Sequence, residues 1–199
     1  MNAVDFYYDF RSPFAYFAQH RIRAGSFALP DSVVWRWHPV SIGALINFQA
    51  GRAPFEPFAD PLAPPKRKHF MADVLRSAAF YHAPIRPPNP QRPDTAPALY
   101  IDAQSGSAAF RAAVFDAMWQ QQRDIGDASV LHDCAVRAGL DATIVDAALA
   151  DAARDAVAMS SRQAYDAGIF GVPTFVFKGE VFFGNDRMDM LAWRMGQGG

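Results

Sequence analysis

The feature that most constrains the fold of this 199-residue chain is the position of its strand-forming segments, which lie near its two ends. Residues 3–9 and 33–40 are rich in Val, Phe, Tyr and Trp and have the length of short strands. Between them, Pro13 suits the first turn of a helix that runs toward Gly25. A strand, a helix and a second, parallel strand are the typical opening of an α/β fold.

The C-terminal end of the chain returns to strand patterns. Residues 173–178 and 181–184 predict a β-hairpin that turns at Gly179 and Glu180, and a terminal helix begins at about Asp186. The stretch between the two ends predicts helices at 66–81, 95–102, 107–123, 129–138, 141–149 and 154–167, with Pro-rich connectors at 52–65 and 84–97.

The two Pro-rich connectors are neither Gly/Ser-rich nor highly charged, so they do not indicate linkers between separate domains. We therefore predict an α/β fold whose four-stranded sheet is interrupted by a large all-helical insertion. The sheet domain comprises residues 1–43 and 168–199, and the insertion comprises residues 44–167.

Composition excludes several classes of function. The 19 basic and 20 acidic residues leave a net charge of −1, which argues against nucleic acid as a partner. The chain has no long apolar run and no targeting pattern at its start, so we expect a cytoplasmic protein without membrane contact. A single cysteine, Cys134, excludes an internal disulfide, and the five histidines show no metal-ligand spacing, so no metal site is predicted.

Ser12 lies where the first strand ends and the first helix begins. A serine at this position is most often an N-cap, whose hydroxyl accepts hydrogen bonds from the first N–H groups of the helix. The same position combines the positive end of a helix, free N–H donors and a hydroxyl, which together suit an anion or a thiolate. No Gly-x-Ser-x-Gly motif accompanies Ser12, so a hydrolase triad is not indicated.

Two motifs near the C-terminus have both a structural and a functional interpretation. Val172 and Pro173 fit an edge strand, or a cis Val-Pro bond that shapes a site and leaves the backbone of Val172 to pair with an extended peptide. Asn185 and Asp186 fit a turn and a helix cap, or an amide and a carboxylate that hold an amino-acid head group.

Three further features of the sequence have mainly structural interpretations. The basic run Lys66, Arg67 and Lys68 fits a solvated helix start, although it offers a cation for a ligand carboxylate. Apolar neighbours at helical spacing place Cys134 in the core. The same interpretation applies to the stripe Phe110, Phe115, Met118 and Trp119.

The order of these motifs resembles the 2-hydroxychromene-2-carboxylate isomerases, which are grouped with the kappa-class glutathione transferases and the DsbA-like proteins. The resemblance rests on Asp-Phe-x-Ser-Pro-Phe-x-Tyr at 9–16, Gly-Val-Pro-Thr-Phe at 171–175 and Phe-Gly-Asn-Asp-Arg-Met at 183–188. It extends through the helical stretch, including residues 115–125. It implies a thioredoxin-like fold, glutathione as the cofactor and a homodimer.

The resemblance also implies roles for individual residues. Ser12 matches the serine that faces the glutathione sulfur, at the junction where redox relatives have a Cys-x-x-Cys. Val172, before Pro173, matches the residue whose backbone pairs with the cysteinyl part of glutathione. Asn185 and Asp186 match the pair that holds the γ-glutamyl end.

For the glycine carboxylate of glutathione, the resemblance points less directly to two basic residues. Arg67 is nearest to the lysine of the family, and Arg52 replaces the asparagine of a Ser-Gly-Asn motif. The implied reaction is glutathione-dependent isomerisation of 2-hydroxychromene-2-carboxylate, a small aromatic-derived acid, to trans-o-hydroxybenzylidenepyruvate in naphthalene-type catabolism. A kappa-like transferase and a non-catalytic thioredoxin-like binding module are the alternatives, and the missing cysteines contradict a disulfide oxidoreductase.

Overall fold

A computed structural model describes residues 2–26, 33–57 and 63–197. Its strands are β1 (Asn2–Tyr8), β2 (Val33–Pro39), β3 (Thr174–Phe177) and β4 (Glu180–Phe183). Its α-helices are α1 (Pro13–Ala24), α2 (Ile42–Gln49), α3 (Pro64–Phe80), α4 (Ala96–Ser105), α5 (Ala108–Trp119), α6 (Ala128–Arg137), α7 (Thr143–Ala148), α8 (Asp151–Asp166) and α9 (Met188–Gly196). One turn of 3-10 helix, Asn185–Arg187, precedes α9.

The four strands form one sheet in the order β2-β1-β3-β4. Strand β1 pairs in parallel with β2 and antiparallel with β3, and β3 and β4 form the hairpin expected near the C-terminus. The prediction of a four-stranded α/β sheet interrupted by helices is confirmed. The edge-strand interpretation of Pro173 is wrong, because β3 lies between β1 and β4.

Helix α1 shows why the chain changes from strand to helix at Ser12. The extended backbone of Ser12, with φ −85° and ψ 117°, lets its hydroxyl accept from the N–H of Ala15, and Pro13 occupies the first turn. The helix ends at Gly25, whose φ of 60° is in the left-handed region that glycine adopts most easily. Local signals alone therefore fix both ends of this helix.

The core lies between the sheet and the helical insertion. Phe6 and Tyr8 of the central strand are fully buried, and the Phe6 ring stacks on that of Phe175 at a centroid distance of 4.6 Å. The stripe on α5 is also buried, which confirms its structural interpretation: Phe110, Phe115, Met118 and Trp119.

Helix α2 was not predicted from the sequence. It has only eight residues and contains Gly43, so its helical propensity is low. Three contacts fix its start: Ser41 caps it by accepting from Ala44 N–H at 3.2 Å, Ser161 of α8 accepts from Ser41 N–H at 2.9 Å, and α8 packs against it. Residue 43, the predicted domain boundary, lies inside this helix, and the division into domains stays a prediction.

A buried polar cluster joins the sheet to the insertion. The Tyr8 hydroxyl donates to the Asp102 carboxylate, and Arg111 donates to both oxygens of that carboxylate at 2.9 and 3.1 Å. Arg111 also lies over the Trp37 ring at 4.2 Å. Burial raises the pKa of Asp102 to about 6, and the charge and hydrogen bonds of Arg111 oppose that effect.

Cys134 lies in α6 and is buried, as predicted. Burial raises the pKa of its thiol, although Arg123 and Arg137 lower it to some extent. Within the described residues, no helix has the length and apolarity needed to cross a membrane.

Candidate functional site

The main cavity has a volume of about 790 Å³ and opens beside Ser12. We call it the Ser12 cavity. A cavity of this size is in the range that holds a small-molecule ligand. Its lining residues come from the junctions before α1 and α2, the loop after α2, the connector before α4, and single residues of α3, α8 and β4: Arg11, Ser12, Pro13, Phe14, Ser41, Ile42, Gly43, Ile46, Asn47, Pro54, Phe55, Glu56, Pro57, Phe70, Gln91, Arg92, Pro93, Asp94, Thr95, Ala96, Arg154, Val172 and Phe183.

Ser12 lines this cavity and is 8% exposed. Its Oγ accepts from Ala15 N–H at 3.2 Å, and its hydroxyl lies 3.5 Å from the carbonyl oxygen of Val172. The second distance is at the limit of a hydrogen bond, so the hydroxyl proton is weakly held. It is therefore available to a ligand acceptor placed in the cavity.

A second helix begins at the same cavity. Ser41 caps α2, and Ser41, Ile42 and Gly43 all line the Ser12 cavity. Helix N-termini carry partial positive charge, which favours negative charge nearby, and at α2 the Asp9 carboxylate already accepts from Ile42 N–H at 2.8 Å.

Asp9 connects the two helix starts. It is fully buried, and its carboxylate accepts from Arg11 N–H at 2.9 Å and from Ile42 N–H at 2.8 Å. Its backbone carbonyl accepts from Ser12 N–H at 3.0 Å. One residue therefore fixes the approach to α1 and the first turn of α2 against each other.

Val172 and Pro173 lie opposite Ser12. This agrees with the interpretation in which a cis Val-Pro bond shapes a site. The peptide bond between them is cis, both residues are buried, and Val172 lines the cavity. The Pro173 carbonyl accepts from Gly184 N–H at 2.9 Å, so the chain before Asn185 is held beside this bond. Ser12 and Val172 are thus brought together from positions 160 residues apart.

Asn185 and Asp186 follow β4 on the far side of Pro173. Asn185 is buried, and its backbone carbonyl accepts from Arg21 Nη1 at 3.1 Å. Asp186 is exposed and lies 3.5 Å from Arg187. Neither belongs to the described residues that line the Ser12 cavity, so their predicted contact with a ligand remains a prediction.

The two basic residues proposed for a ligand carboxylate lie apart from Ser12 in the structure. Arg52 is exposed in the loop after α2, where its N–H donates to the carbonyl of Asn47 at 2.8 Å. Arg67 is exposed on α3 and lines a separate cavity of about 440 Å³. Neither residue is among those that line the Ser12 cavity in the described part of the chain, and both roles stay predictions.

The walls of the Ser12 cavity are largely aromatic and aliphatic. Phe14 and Phe70 meet edge to face at 5.4 Å, and Phe55, Phe183 and Ile46 also face the cavity. These side chains suit a flat aromatic ligand, because ring pairs favour stacked and edge-to-face contacts.

The sequence did not single out three residues of this cavity. Asp9 and Ser41 are recognisable only once β1, α1 and α2 are placed together. Asn47 is 1% exposed, and its amide N–H groups donate to the carbonyls of Pro54 and Glu56. Its Oδ1 has no partner within the described residues, so it offers an acceptor to a ligand.

Comparison with known proteins places this geometry in a family. Residues 3–196 match the model of the DsbA-like thioredoxin domain. The 2-hydroxychromene-2-carboxylate isomerase of Sphingobium xenophagum is 32% identical over 96% of this chain and 96% of its own. The enzyme of that name from Pseudomonas sp. strain C18 is 29% identical over 94% of this chain and 87% of its own.

A solved structure supports the same relationship. The structure of a 2-hydroxychromene-2-carboxylate isomerase superimposes with a TM-score of 0.81 and 26% sequence identity, over 98% of this chain and 95% of that chain. The match covers both the sheet and the helices between its two halves, so the insertion is part of the shared fold.

Proposed function

Because the chain belongs to the DsbA-like thioredoxin family and, within it, to the 2-hydroxychromene-2-carboxylate isomerases, we propose that it is a glutathione-dependent isomerase of a small aromatic-derived acid. The observation that carries the proposal is the Ser12 hydroxyl, which lies at a helix N-terminus, in a large cavity, with no cysteine beside it. A reactive thiol at this position must then come from a ligand.

The residues present fit glutathione as that ligand. The cavity of about 790 Å³ has room for a tripeptide with a small substrate beside it. The N-terminus of α1 begins beside it, and its lining includes Asn47, whose Oδ1 has no partner among the described residues. A thiolate is thus matched by the positive end of α1, and a peptide N–H by the amide oxygen of Asn47.

When bound, glutathione would supply a thiolate for reversible addition to the conjugated system of the substrate, which permits rotation about the former double bond and returns glutathione on elimination. Ser12 would stabilise that thiolate by donating a hydrogen bond from its hydroxyl to the sulfur. The N-terminus of α1 adds positive potential at the same point, and the burial of Ser12 excludes water. Ser12 acts through stabilisation of charge and not as a nucleophile.

The other contacts of glutathione are assigned as proposals. The backbone of Val172, next to cis-Pro173, pairs with the cysteinyl part, and Asn185 and Asp186 hold the γ-glutamyl end. Arg67 is assigned to the glycine carboxylate and Arg52 is the second candidate. The exposed positions of both arginines would require the ligand to extend toward the loop after α2 and the start of α3.

The aromatic substrate occupies the apolar part of the cavity. Phe14 and Phe70 form an edge-to-face pair there, and Ile46 and Phe183 complete the wall. Such a wall binds a flat ring without requiring polar partners from it.

Turnover of 2-hydroxychromene-2-carboxylate with and without glutathione tests the proposal. We expect isomerisation only when glutathione is present, with the amount of glutathione unchanged at the end. Equal turnover without glutathione, or none with it, would contradict the assignment. A stoichiometric glutathione conjugate as the product would instead support a transferase.

Two serine variants test the role of Ser12. We expect Ser12→Ala to lower kcat/KM by about 10- to 100-fold, because a donor to developing negative charge is lost. Ser107→Ala is the matched control, since Ser107 caps α5 by accepting from Phe110 N–H at 3.1 Å and is not among the described residues that line the Ser12 cavity. Both variants lose about 1 kcal/mol of stability from the lost cap.

The thiolate itself gives a second measurement. Ultraviolet titration of bound glutathione should show a higher thiol pKa in Ser12→Ala than in the wild type, and no change in Ser107→Ala. An unchanged pKa in Ser12→Ala would remove the proposed role of this hydroxyl.

We also assign a homodimer as the oligomeric state, following the resemblance of the sequence to its relatives. Light scattering on the purified chain tests this assignment, and a monomer mass at micromolar concentration would contradict it.

A further inference from the structure

Arg11, the residue before Ser12, carries a positive charge that the mechanism has not used. It is half-buried at the junction between β1 and α1, and it lines the Ser12 cavity. Its backbone is fixed, because its N–H donates to the carboxylate of Asp9 at 2.9 Å and the next N–H, of Ser12, donates to the Asp9 carbonyl. Arg11 therefore extends into the cavity lining from a fixed backbone, one residue before Ser12.

The Arg11 guanidinium forms no ion pair within the parts of the chain that the structure describes. The two oxygens of the nearby Asp9 carboxylate accept from the backbone N–H groups of Arg11 and Ile42 instead. Glu56, an acidic residue of the same lining, accepts from Ala53 N–H at 3.3 Å. A half-buried cation without an anionic partner is costly, and a ligand anion would compensate for it.

A second arginine of the cavity lining already has an anionic partner. Arg154 pairs with Asp94 at 2.5 Å and lies over the Phe55 ring at 4.2 Å. Its charge is already neutralised and its position is fixed by both contacts. The contrast between Arg11 and Arg154 therefore separates a cation available to a ligand from one that stabilises the cavity wall.

We propose that Arg11 binds the carboxylate of the small acid substrate, next to the thiol held by Ser12. This inference rests on the proposed function, since it names the group of the substrate that is recognised at the same site. A guanidinium binds a carboxylate through two parallel hydrogen bonds, which fix its direction as well as its distance. Arg11 thereby orients the conjugated system of the acid toward the sulfur.

Glutathione also carries carboxylates, so the carboxylate that Arg11 binds has two possible sources, the substrate and glutathione. The two sources differ in what is lost when the charge of Arg11 is removed. If Arg11 binds the substrate carboxylate, the affinity for glutathione is unchanged and discrimination between the acid and an uncharged ester disappears. If it binds a glutathione carboxylate, the reverse is expected.

The experiment compares 2-hydroxychromene-2-carboxylate with its methyl ester in the wild type and in Arg11→Met. We expect the wild type to prefer the acid by about 10- to 100-fold in kcat/KM, as for a charge-assisted hydrogen-bonded pair. In Arg11→Met this preference should fall below about 3-fold, with the KM for glutathione unchanged. Arg11→Lys should recover part of the preference, because an ammonium keeps the charge but not the paired geometry.

Two further variants complete the comparison. Arg76→Met removes an exposed arginine that pairs with Asp73 on α3, and it should leave the preference for the acid as in the wild type. Arg154→Met tests the other end of the cavity. Loss of the preference in Arg154→Met but not in Arg11→Met would overturn the proposal, as would an Arg11→Met variant with a raised KM for glutathione and an intact preference.

The outcomes separate this inference from the proposed function. A wild type that does not isomerise the acid with glutathione contradicts the function. A wild type that isomerises it, with the same preference for the acid in Arg11→Met, contradicts only the role of Arg11.

Discussion

Two buried carboxylates lie near the end of β1, and their charges are compensated in different ways. Tyr8 donates to Asp102, which is paired with the Arg111 guanidinium at the boundary between sheet and insertion. Asp9, the next residue, has its carboxylate bound by backbone N–H groups at the Ser12 cavity. The first region uses a cation, and the second uses the starts of two helices.

The difference separates an arginine that stabilises the fold, Arg111, from an arginine that remains available at the cavity, Arg11. The charged pair of Asp102 and Arg111 is far from solvent and joins the consecutive helices α4 and α5, and Tyr8 links it to the sheet from 94 residues away. The carboxylate of Asp9 uses only backbone donors, so the cation next to it, Arg11, stays available at the cavity. A buried acid is thus compensated without consuming the charge that a ligand needs.

Of the substitutions at these two carboxylates and their partners, replacement of Arg111 should lower the free energy of unfolding most. We expect Arg111→Met to lower the free energy of unfolding by about 3–5 kcal/mol at pH 7, because it leaves the Asp102 carboxylate buried without its cation. The loss should be smaller at pH 4.5, where Asp102 is mostly protonated. Urea unfolding at both pH values measures it.

The exposed pair of Arg76 and Asp73 provides the control for that variant. Arg76→Met should change stability by less than about 0.5 kcal/mol at either pH. An equal loss for Arg111→Met at pH 7 and pH 4.5 would contradict the assignment of a charged partner.

The raised pKa of Asp102 predicts the second largest change in the free energy of unfolding. Since folding raises this pKa from 3.8 to about 6, the contribution of the group to stability is complete below pH 3.8 and is lost as the pH rises through about 6. Asp102→Asn resembles the protonated form at every pH. Relative to the wild type, its stability should therefore rise by about 2.5 kcal/mol between pH 4 and pH 7, since one pKa unit corresponds to about 1.4 kcal/mol and the unfolded carboxyl is already partly ionised at pH 4.

Unfolding curves of the wild type and Asp102→Asn at several pH values measure this difference. Other carboxylates titrate in both proteins and cancel in the comparison. A difference that does not depend on pH would show that the wild-type carboxyl has an ordinary pKa.

Asp9→Asn should have the smallest of the three effects on stability. One carboxylate oxygen becomes an amide group that faces a backbone N–H, so we expect a loss of about 1–3 kcal/mol. Activity should fall as well, because the starts of α1 and α2 lose their common acceptor. Asp73→Asn is the control on an exposed aspartate, and equal stability of Asp9→Asn and Asp73→Asn would contradict the role of Asp9.

Much of the fold could be predicted from the sequence, because its signals are local. The cap at Ser12, the proline at Pro13 and the left-handed Gly25 define α1, and alternating apolar residues define the strands. Helix α2 was missed because contacts with Ser161 and the rest of α8 stabilise it, and these are distant in sequence.

The site was only partly predictable, for the same reason. Ser12 and Val172 were identified through their motifs, and the structure places them in contact. The roles of Asp9 and Arg11 depend on which backbone groups and charges lie nearby in space, and no spacing along the chain records that. The cluster of Tyr8, Asp102 and Arg111 escaped prediction on the same grounds.

Cys134 has a practical consequence for experiments on this protein. It is the single cysteine, it is buried, and its burial raises the pKa of its thiol. Burial favours its protonated form in the folded protein, so in an ultraviolet titration of a complex with a thiol ligand it contributes less thiolate absorbance near neutral pH than an exposed cysteine would. A thiol-reactive dye added to the free protein labels only molecules in which the core has opened, and the labelling rate reports that opening.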